Sequence, residues 1–200
     1  MVSLSEIRDR AFESLLGKWG KAAMATFICG LLGGLPYTLL NELVFDGSGW
    51  VYTIFILPLA WGYSYLFLSV SRGGEVDYGK MFDGYKDFKR IFLTMLLSNI
   101  YEFLWSLLLI IPGIVKGYSY SMTPYILADD KDIRYDAAIE KSMKMMQGHK
   151  WRLFLLDLSF IGWFILCLLS LGIGFFWLVP YIETSHAKFY EELLAEDNEQ

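Results

Sequence analysis

Two hundred residues suffice for one domain, and a content of 55% hydrophobic and 18% aromatic side chains is too apolar for an ordinary soluble one. The mean hydropathy of +0.39 agrees. A net charge of −5, with basic residues scattered between apolar runs, excludes a nucleic-acid surface; Cys29 and Cys167, each inside an apolar run, exclude a disulfide framework or a Cys-based zinc site.

The chain opens on an amphipathic helix over residues 3–19. Ser3 and Glu6 have capping-box spacing, and Leu4, Ile7, Ala11, Phe12, Leu15, Leu16 and Trp19 share a face. No basic region with a cleavable apolar core is seen here, so no signal peptide is expected. The first apolar run, Lys21–Leu40, is interrupted by Gly30, Gly33, Gly34 and Pro36. Small residues let membrane helices approach closely. After a turn over 42–49 comes the second run, Trp50–Val70, with Pro58 as an expected kink.

Ser71–Arg90 is polar, but Tyr78, Met81, Phe82, Tyr85 and Phe88 recur at helical spacing, which predicts a second surface helix. Ile91–Ile111 then runs 21 residues with one ionisable group, Glu102. That is roughly 31 Å of helix against ~30 Å of hydrocarbon. Pro112-Gly113 is expected to end it, because proline disfavours helix at the residue before it. The following segment, 114–128, makes only about 22 Å of helix; it either crosses with some adjustment of the bilayer or re-enters.

Asp129–Arg152 is a third polar segment, with a stripe of Tyr135, Ala138, Ile139, Ser142, Met143 and Met146 and a stop at Gly148. Leu153–Leu169 is the fifth apolar run, with Asp157 in its first turns. A glycine turn over 171–174 leads to a sixth helix over 175–190 and a polar tail, Glu191–Gln200, expected to fray.

The expected fold is therefore all-α: a polytopic membrane bundle of about six transmembrane helices in three hairpins, each preceded by a cytoplasmic amphipathic helix. It forms one domain over 1–200, with an N-terminal helix (1–20), a membrane bundle (21–190) and the tail. Trp19, Phe88 and Trp151 begin the three hairpins at similar spacing. A pseudo-threefold repeat or the ordinary rhythm of hairpins accounts for this equally. Of 17 Lys and Arg residues only Lys116 falls away from the segments before each hairpin and the tail. Positive residues stay inside, so both termini are expected in the cytoplasm.

Glu102 is the leading candidate for chemistry, since a carboxylate at membrane depth is costly unless neutral or paired. Two readings stand: a proton or ion site with Lys116 as partner, or a structural Glu bonded to Asn99 or to Tyr118, Ser119, Tyr120 or Ser121. Asp157 is expected to pair with Lys150 or Arg152, or to bond Ser159 or a neighbouring helix. His149, Lys150, Trp151 and Arg152 form a basic and aromatic cluster suited to lipid headgroups. His186 has only Glu183 and Tyr190 at helical spacing, so no metal site is expected. Phosphate-loop, nucleophile-elbow, zinc-protease and dinucleotide motifs are missing.

The stretch Leu104–Ile114 (LWSLLLIIPGI) resembles a family of bacterial integral membrane proteins catalogued as a domain of unknown function. Tyr118-Ser119-Tyr120, Gly148-His149-Lys150, Leu158–Trp163 and Pro180-Tyr181 continue the resemblance. A weaker likeness is to the membrane domain accompanying some glycerophosphodiester phosphodiesterases, without their catalytic domain. The resemblance implies a multi-pass bacterial plasma-membrane protein and brings no activity, cofactor or site residue. The expected function is non-enzymatic, binding membrane lipids, a membrane-protein partner or a second copy, with no nucleic acid and no cofactor. A small transporter or channel using Glu102 is the alternative.

Overall fold

A computed structural model describes residues 2–43 and 49–198. They form α-helices α1 (Leu4–Leu15), α2 (Trp19–Leu43), α3 (Gly49–Ser71), α4 (Phe88–Leu108), α5 (Ile110–Tyr120), α6 (Thr123–Asp129), α7 (Asp136–Met145), α8 (Lys150–Leu158), α9 (Ile161–Leu169) and α10 (Phe175–Asn198). A 3-10 helix, Tyr78–Tyr85, precedes α4. The described residues include no strand, as an all-α reading requires. Most of the turn expected over 42–49, residues 44–48, lies outside them.

Side-chain bonds fix how the helices run. Ser71 at the end of α3 donates to Glu191 of α10 at 2.6 Å, while Ser64, two turns earlier, donates to Glu183 at 3.2 Å. Thr26 of α2 bonds Tyr63 of α3, and Phe27 meets Phe176 of α10. Arg72 and Tyr190 both reach Asp129 at the end of α6, and Arg90 at the start of α4 donates to the carbonyls of Leu127 and Asp130. So the start of α4 and the ends of α3, α6 and α10 lie at one end, the base. From there α2, α4 and α8–α9 run outward, and α3, α5 and α10 return. The outer ends of the three hairpins therefore point away from the base together.

Two buried clusters hold the base. One joins α1, α6, α7, α8 and α10 through Ile7, Met122, Tyr125, Ile126, Met146, Leu153 and Tyr190. The other joins the end of α1, the start of α2, α3 and the 3-10 helix through Leu15, Ala22, Leu66, Phe67, Val70 and Met81. Side chains at the outer ends of the second and third hairpins face outward instead: Leu107, Leu109, Ile110, Ile111, Leu168, Leu169, Leu171 and Ile173 are all exposed.

Two stretches among the described residues are long and apolar enough to cross a membrane, Ile54–Ser71 and Lys150–Leu169. A third arises if Leu4–Leu15 and Trp19–Gly34, bent by 93°, count as one span. Length and composition thus give two or three spans where six are expected. Ile54–Ser71 is also 56% buried within the protein, so its apolarity serves the core as well.

Ser3 caps α1 as its spacing predicts, accepting from the Glu6 N–H at 3.2 Å. The helix stops earlier than expected because Gly17 takes φ +75°. The polar helix before α4 is 3-10 rather than α. In that geometry side chains three apart eclipse, so Met81 and Gly84 are buried while Phe82 is exposed. Glycines bring it onto α3: a Cβ at Gly62 would lie 2.0 Å from the Met81 carbonyl oxygen, and one at Gly84 would lie 2.4 Å from that of Pro58.

Pro112-Gly113 is not the turn. α4 ends at Leu108, Leu109 is extended (φ −159°, ψ 139°), and Pro112 sits in the first turn of α5, where its missing N–H has no helical partner to lose. Gly113 and Gly117 then let α5 lie against Ser106 and Glu102 of α4. The segment 114–128 is not one helix but breaks at Ser121-Met122, and Pro124 starts α6. The fifth run divides at Ser159-Phe160 into α8 and α9. The tail expected to fray is helical to Asn198 and anchored through Glu191 and Glu192.

Candidate functional site: a half-buried carboxylate and histidine cluster

Two limbs, α8 and α10, bring Asp157, Glu183 and His186 together. Asp157 is near the end of α8; Glu183 and His186 are one turn apart on α10. A His186 ring nitrogen, Nε2, lies 2.6 Å from Asp157 Oδ1, and the Tyr118 hydroxyl of α5 donates to Oδ2 at 2.9 Å. With Nε2 protonated, both carboxylate oxygens of Asp157 accept a hydrogen bond. Glu183 accepts from Ser64 of α3 at 3.2 Å and Tyr125 of α6 at 3.4 Å, both at Oε2. The Tyr125 ring stacks on Tyr190 at 5.4 Å.

Five helices thus meet at two acids, one imidazole, two phenols and a hydroxyl. The arrangement can hold or hand on a proton between Asp157 and His186, and it also ties the helices together. Buried polar groups cost free energy unless bonded, and here each carboxylate has two partners. Among the described residues no group of three or more His, Cys, Asp or Glu is placed to hold a metal ion.

The other candidate residues lie elsewhere. Glu102 is on an exposed part of α4, and its carboxylate lies beside Gly117, where an added Cβ would be 2.8 Å from Oε1. Lys116 does not pair with it. Its ammonium lies 4.8 Å from the centre of the Trp105 ring and 4.0 Å from Met143 Sδ. Helical phase explains this: Gly117, not Lys116, is the α5 residue that packs on Glu102, while Lys116 meets α4 further along, at Trp105. Tyr120 is buried and shares a cavity with Trp105 and Lys116, apart from Asp157. Of the partners expected for Asp157 it takes the neighbouring helices, through Tyr118 and His186, and not Lys150, Arg152 or Ser159.

The basic and aromatic cluster divides. Arg152 donates to Glu192 at 2.6 Å and to the Val2 carbonyl, and its guanidinium lies 5.5 Å from the Phe189 ring centre. His149 faces Glu196 at 3.8 Å. Lys150 starts α8 half-buried, while Trp151 is exposed and stacks on Phe154. A second ionic knot lies at the base, where Arg72 grips both oxygens of Asp129 at 2.6 and 2.7 Å. That hydrogen bonding raises the Arg72 pKa further above its ordinary value.

His186 is the residue that sequence reasoning misses, because its partner is 29 positions away rather than one turn away. A signal exists. Asp157 and the pair Glu183 and His186 are ionisable groups inside the fifth run and the sixth helix, adjacent limbs of one hairpin, and such groups need partners.

Residues 107–197 match the model of a family described as "Protein of unknown function (DUF975)". The match takes in α5 to α10, hence Asp157, Glu183, His186 and the Arg152–Glu192 pair, and leaves Ser64 outside. No curated protein and no solved structure matches the chain. The likeness to the membrane domain of glycerophosphodiester phosphodiesterases is carried by neither comparison.

Proposed function

We propose that this is a polytopic membrane protein that binds lipid or protein partners without catalysis. Its three hairpins enter the bilayer from one side, and its base stays at the cytoplasmic surface. One observation carries the reading: large apolar side chains are exposed at the ends of the second and third hairpins, with Leu171 at 93%, Ile110 at 76% and Leu107 at 74%. Soluble monomers seldom leave contiguous apolar patches above about 300–600 Å² in water.

The charge pattern supports the orientation. All Lys and Arg residues except Lys116 belong to base segments or to helix starts there. By the positive-inside rule the base faces the cytoplasm of a bacterial plasma membrane, with both termini on that side. Limb lengths bear on the six-crossing reading. The 21 residues of α4 make roughly 31 Å of helix, enough for the ~30 Å hydrocarbon layer, and α2, α3 and α10 are longer. The 11 residues of α5 make roughly 16 Å, so that limb leaves the hydrocarbon early and continues through α6 near the interface.

Flotation with phosphatidylglycerol and phosphatidylcholine vesicles, followed by carbonate washing, tests insertion. Single cysteines at Leu171 and at Lys131, exposed beside Asp129 at the base, in a Cys29→Ser, Cys167→Ser background test depth. The expected result is a protein that resists carbonate, with the Leu171 position shielded from a water-soluble maleimide and the Lys131 position labelled. Carbonate release with both positions labelled rejects the reading.

A second reading, a small proton-coupled transporter, is favoured by the Asp157, His186 and Glu183 cluster rather than by exposed Glu102. Proton flux into proteoliposomes loaded with a pH-sensitive dye decides it. Flux that is unchanged in Asp157→Asn removes this role.

A further inference from the structure

The α1–α2 elbow leaves a slot beside the third hairpin. A cavity of about 350 Å³ lies between Phe12 and Trp19 of the elbow, Trp163 and Leu166 of α9, and Trp177 and Tyr181 of α10. That falls within the ~300–1,000 Å³ range of small-ligand pockets. Its walls are almost wholly apolar, and Phe12, Trp163, Leu166 and Trp177 are also exposed, so the slot opens onto the same surface as the hairpin ends. It is elongated along the hairpin. One end is at Tyr181 and Trp19, whose rings are 6.0 Å apart, and the other is at Ser170 and Gly174 in the outer turn.

A cation lies next to the base end of the slot, just outside its lining. Arg8, one turn before Phe12 on α1, accepts at its carbonyl from the Tyr181 hydroxyl at 3.3 Å. Its guanidinium reaches only the Ser159 carbonyl, through NH1 at 3.5 Å, and no carboxylate pairs with it among the described residues. Its Nε is buried and has no hydrogen-bond partner. A partly exposed guanidinium with one long hydrogen bond has donors to spare, and an anionic oxygen is the acceptor that satisfies them best. An apolar channel continuous with the membrane-facing surface, with an under-satisfied Arg at its aqueous end, has the polarity of a phospholipid: hydrocarbon below and phosphate above.

We propose that this slot holds one acyl chain of an anionic phospholipid whose phosphate sits at Arg8. The occupant enters from the leaflet nearest the base, with its chain between Trp163, Trp177 and the elbow. This site rests on the membrane reading above and names the ligand that reading leaves open. Arg152 and His149, turned inward to Glu192 and Glu196, do not supply the headgroup contact.

The test is native mass spectrometry of the full chain released from nanodiscs of equal phosphatidylglycerol and phosphatidylcholine. The expected result is one phosphatidylglycerol retained per chain. Leu166→Trp, which fills the slot from a side chain already half in solvent, is expected to cut that occupancy at least tenfold. Arg8→Gln is expected to reduce the phosphatidylglycerol preference about fivefold, the worth of one cation near an anionic headgroup. Flotation of both variants with vesicles stays as in the parent chain, because the hairpin ends are untouched. Retention equal to the parent in Leu166→Trp overturns the slot, as does a lipid that is lost equally from both headgroup classes in Arg8→Gln. A parent chain that never floats fails the membrane reading instead, so the two failures are distinguishable.

Discussion

Replacing Arg152 with Met should destabilise the protein severely, and removing Glu192 as well should restore most of the loss. Arg152 and Glu192 are 15% and 8% exposed at their side chains, and their closest approach is 2.6 Å. Removing the guanidinium leaves a buried carboxylate with no cation, answered only by the Val2 N–H at 2.6 Å, and frees the Val2 carbonyl. Breaking one side of such a pair typically costs about 3–5 kcal/mol, whereas replacing both partners with apolar groups of similar volume is often neutral. The single variant Arg152→Met is therefore expected to lose about 3–5 kcal/mol, and Arg152→Met with Glu192→Leu less than about 1.5 kcal/mol. The assay is reversible denaturant unfolding in detergent micelles followed by near-ultraviolet circular dichroism, with Glu192→Leu closing the cycle. A loss below about 1 kcal/mol in Arg152→Met, the scale of a surface pair, refutes the reasoning. It would mean that Arg152 is free to meet lipid as its sequence context suggests.

Other outcomes follow from single contacts. Gly62→Ala and Gly148→Ala separate crowding from conformation. The first drives a methyl into the Met81 carbonyl and should cost about 1–3 kcal/mol or more, with faster hydrogen exchange across residues 78–85. The second meets nothing within 4 Å but holds φ +81°, so it should cost only about 1–2 kcal/mol. Equal losses in the two would count against the tight seating of the 3-10 helix. Tyr118→Phe removes one of two bonds to Asp157 and should cost about 1 kcal/mol by thermal unfolding, with Asp157→Asn costing more because His186 also loses an ionic partner. Brominated acyl chains should quench Trp163 and Trp177 in single-tryptophan variants and leave Trp151 at the base bright. Strong quenching of Trp151 would place the base inside the bilayer.

Much of the architecture is legible without coordinates. The Ser3 and Glu6 spacing, the Gly148 stop and the hairpin starts at Trp19 and Phe88 are local signals, set by capping, left-handed backbone and polarity within a few residues. Each appears where local chemistry puts it. Apolar runs alone likewise indicate all-helical structure, because periodicity and the lack of strand alternation are properties of the chain.

Pairing across the bundle was not legible. That His186 meets Asp157, that Lys116 turns to Trp105 and leaves Glu102, and that Arg152 turns inward to Glu192 depend on which limbs neighbour one another and on their rotation. The same holds for the span count: an apolar stretch such as Ile54–Ser71 reads identically whether lipid or protein covers it. Composition records that a side chain must leave water. Only the packed structure decides what replaces the water, because a contact between limbs scores of residues apart is a joint property of both surfaces and is encoded in neither one alone.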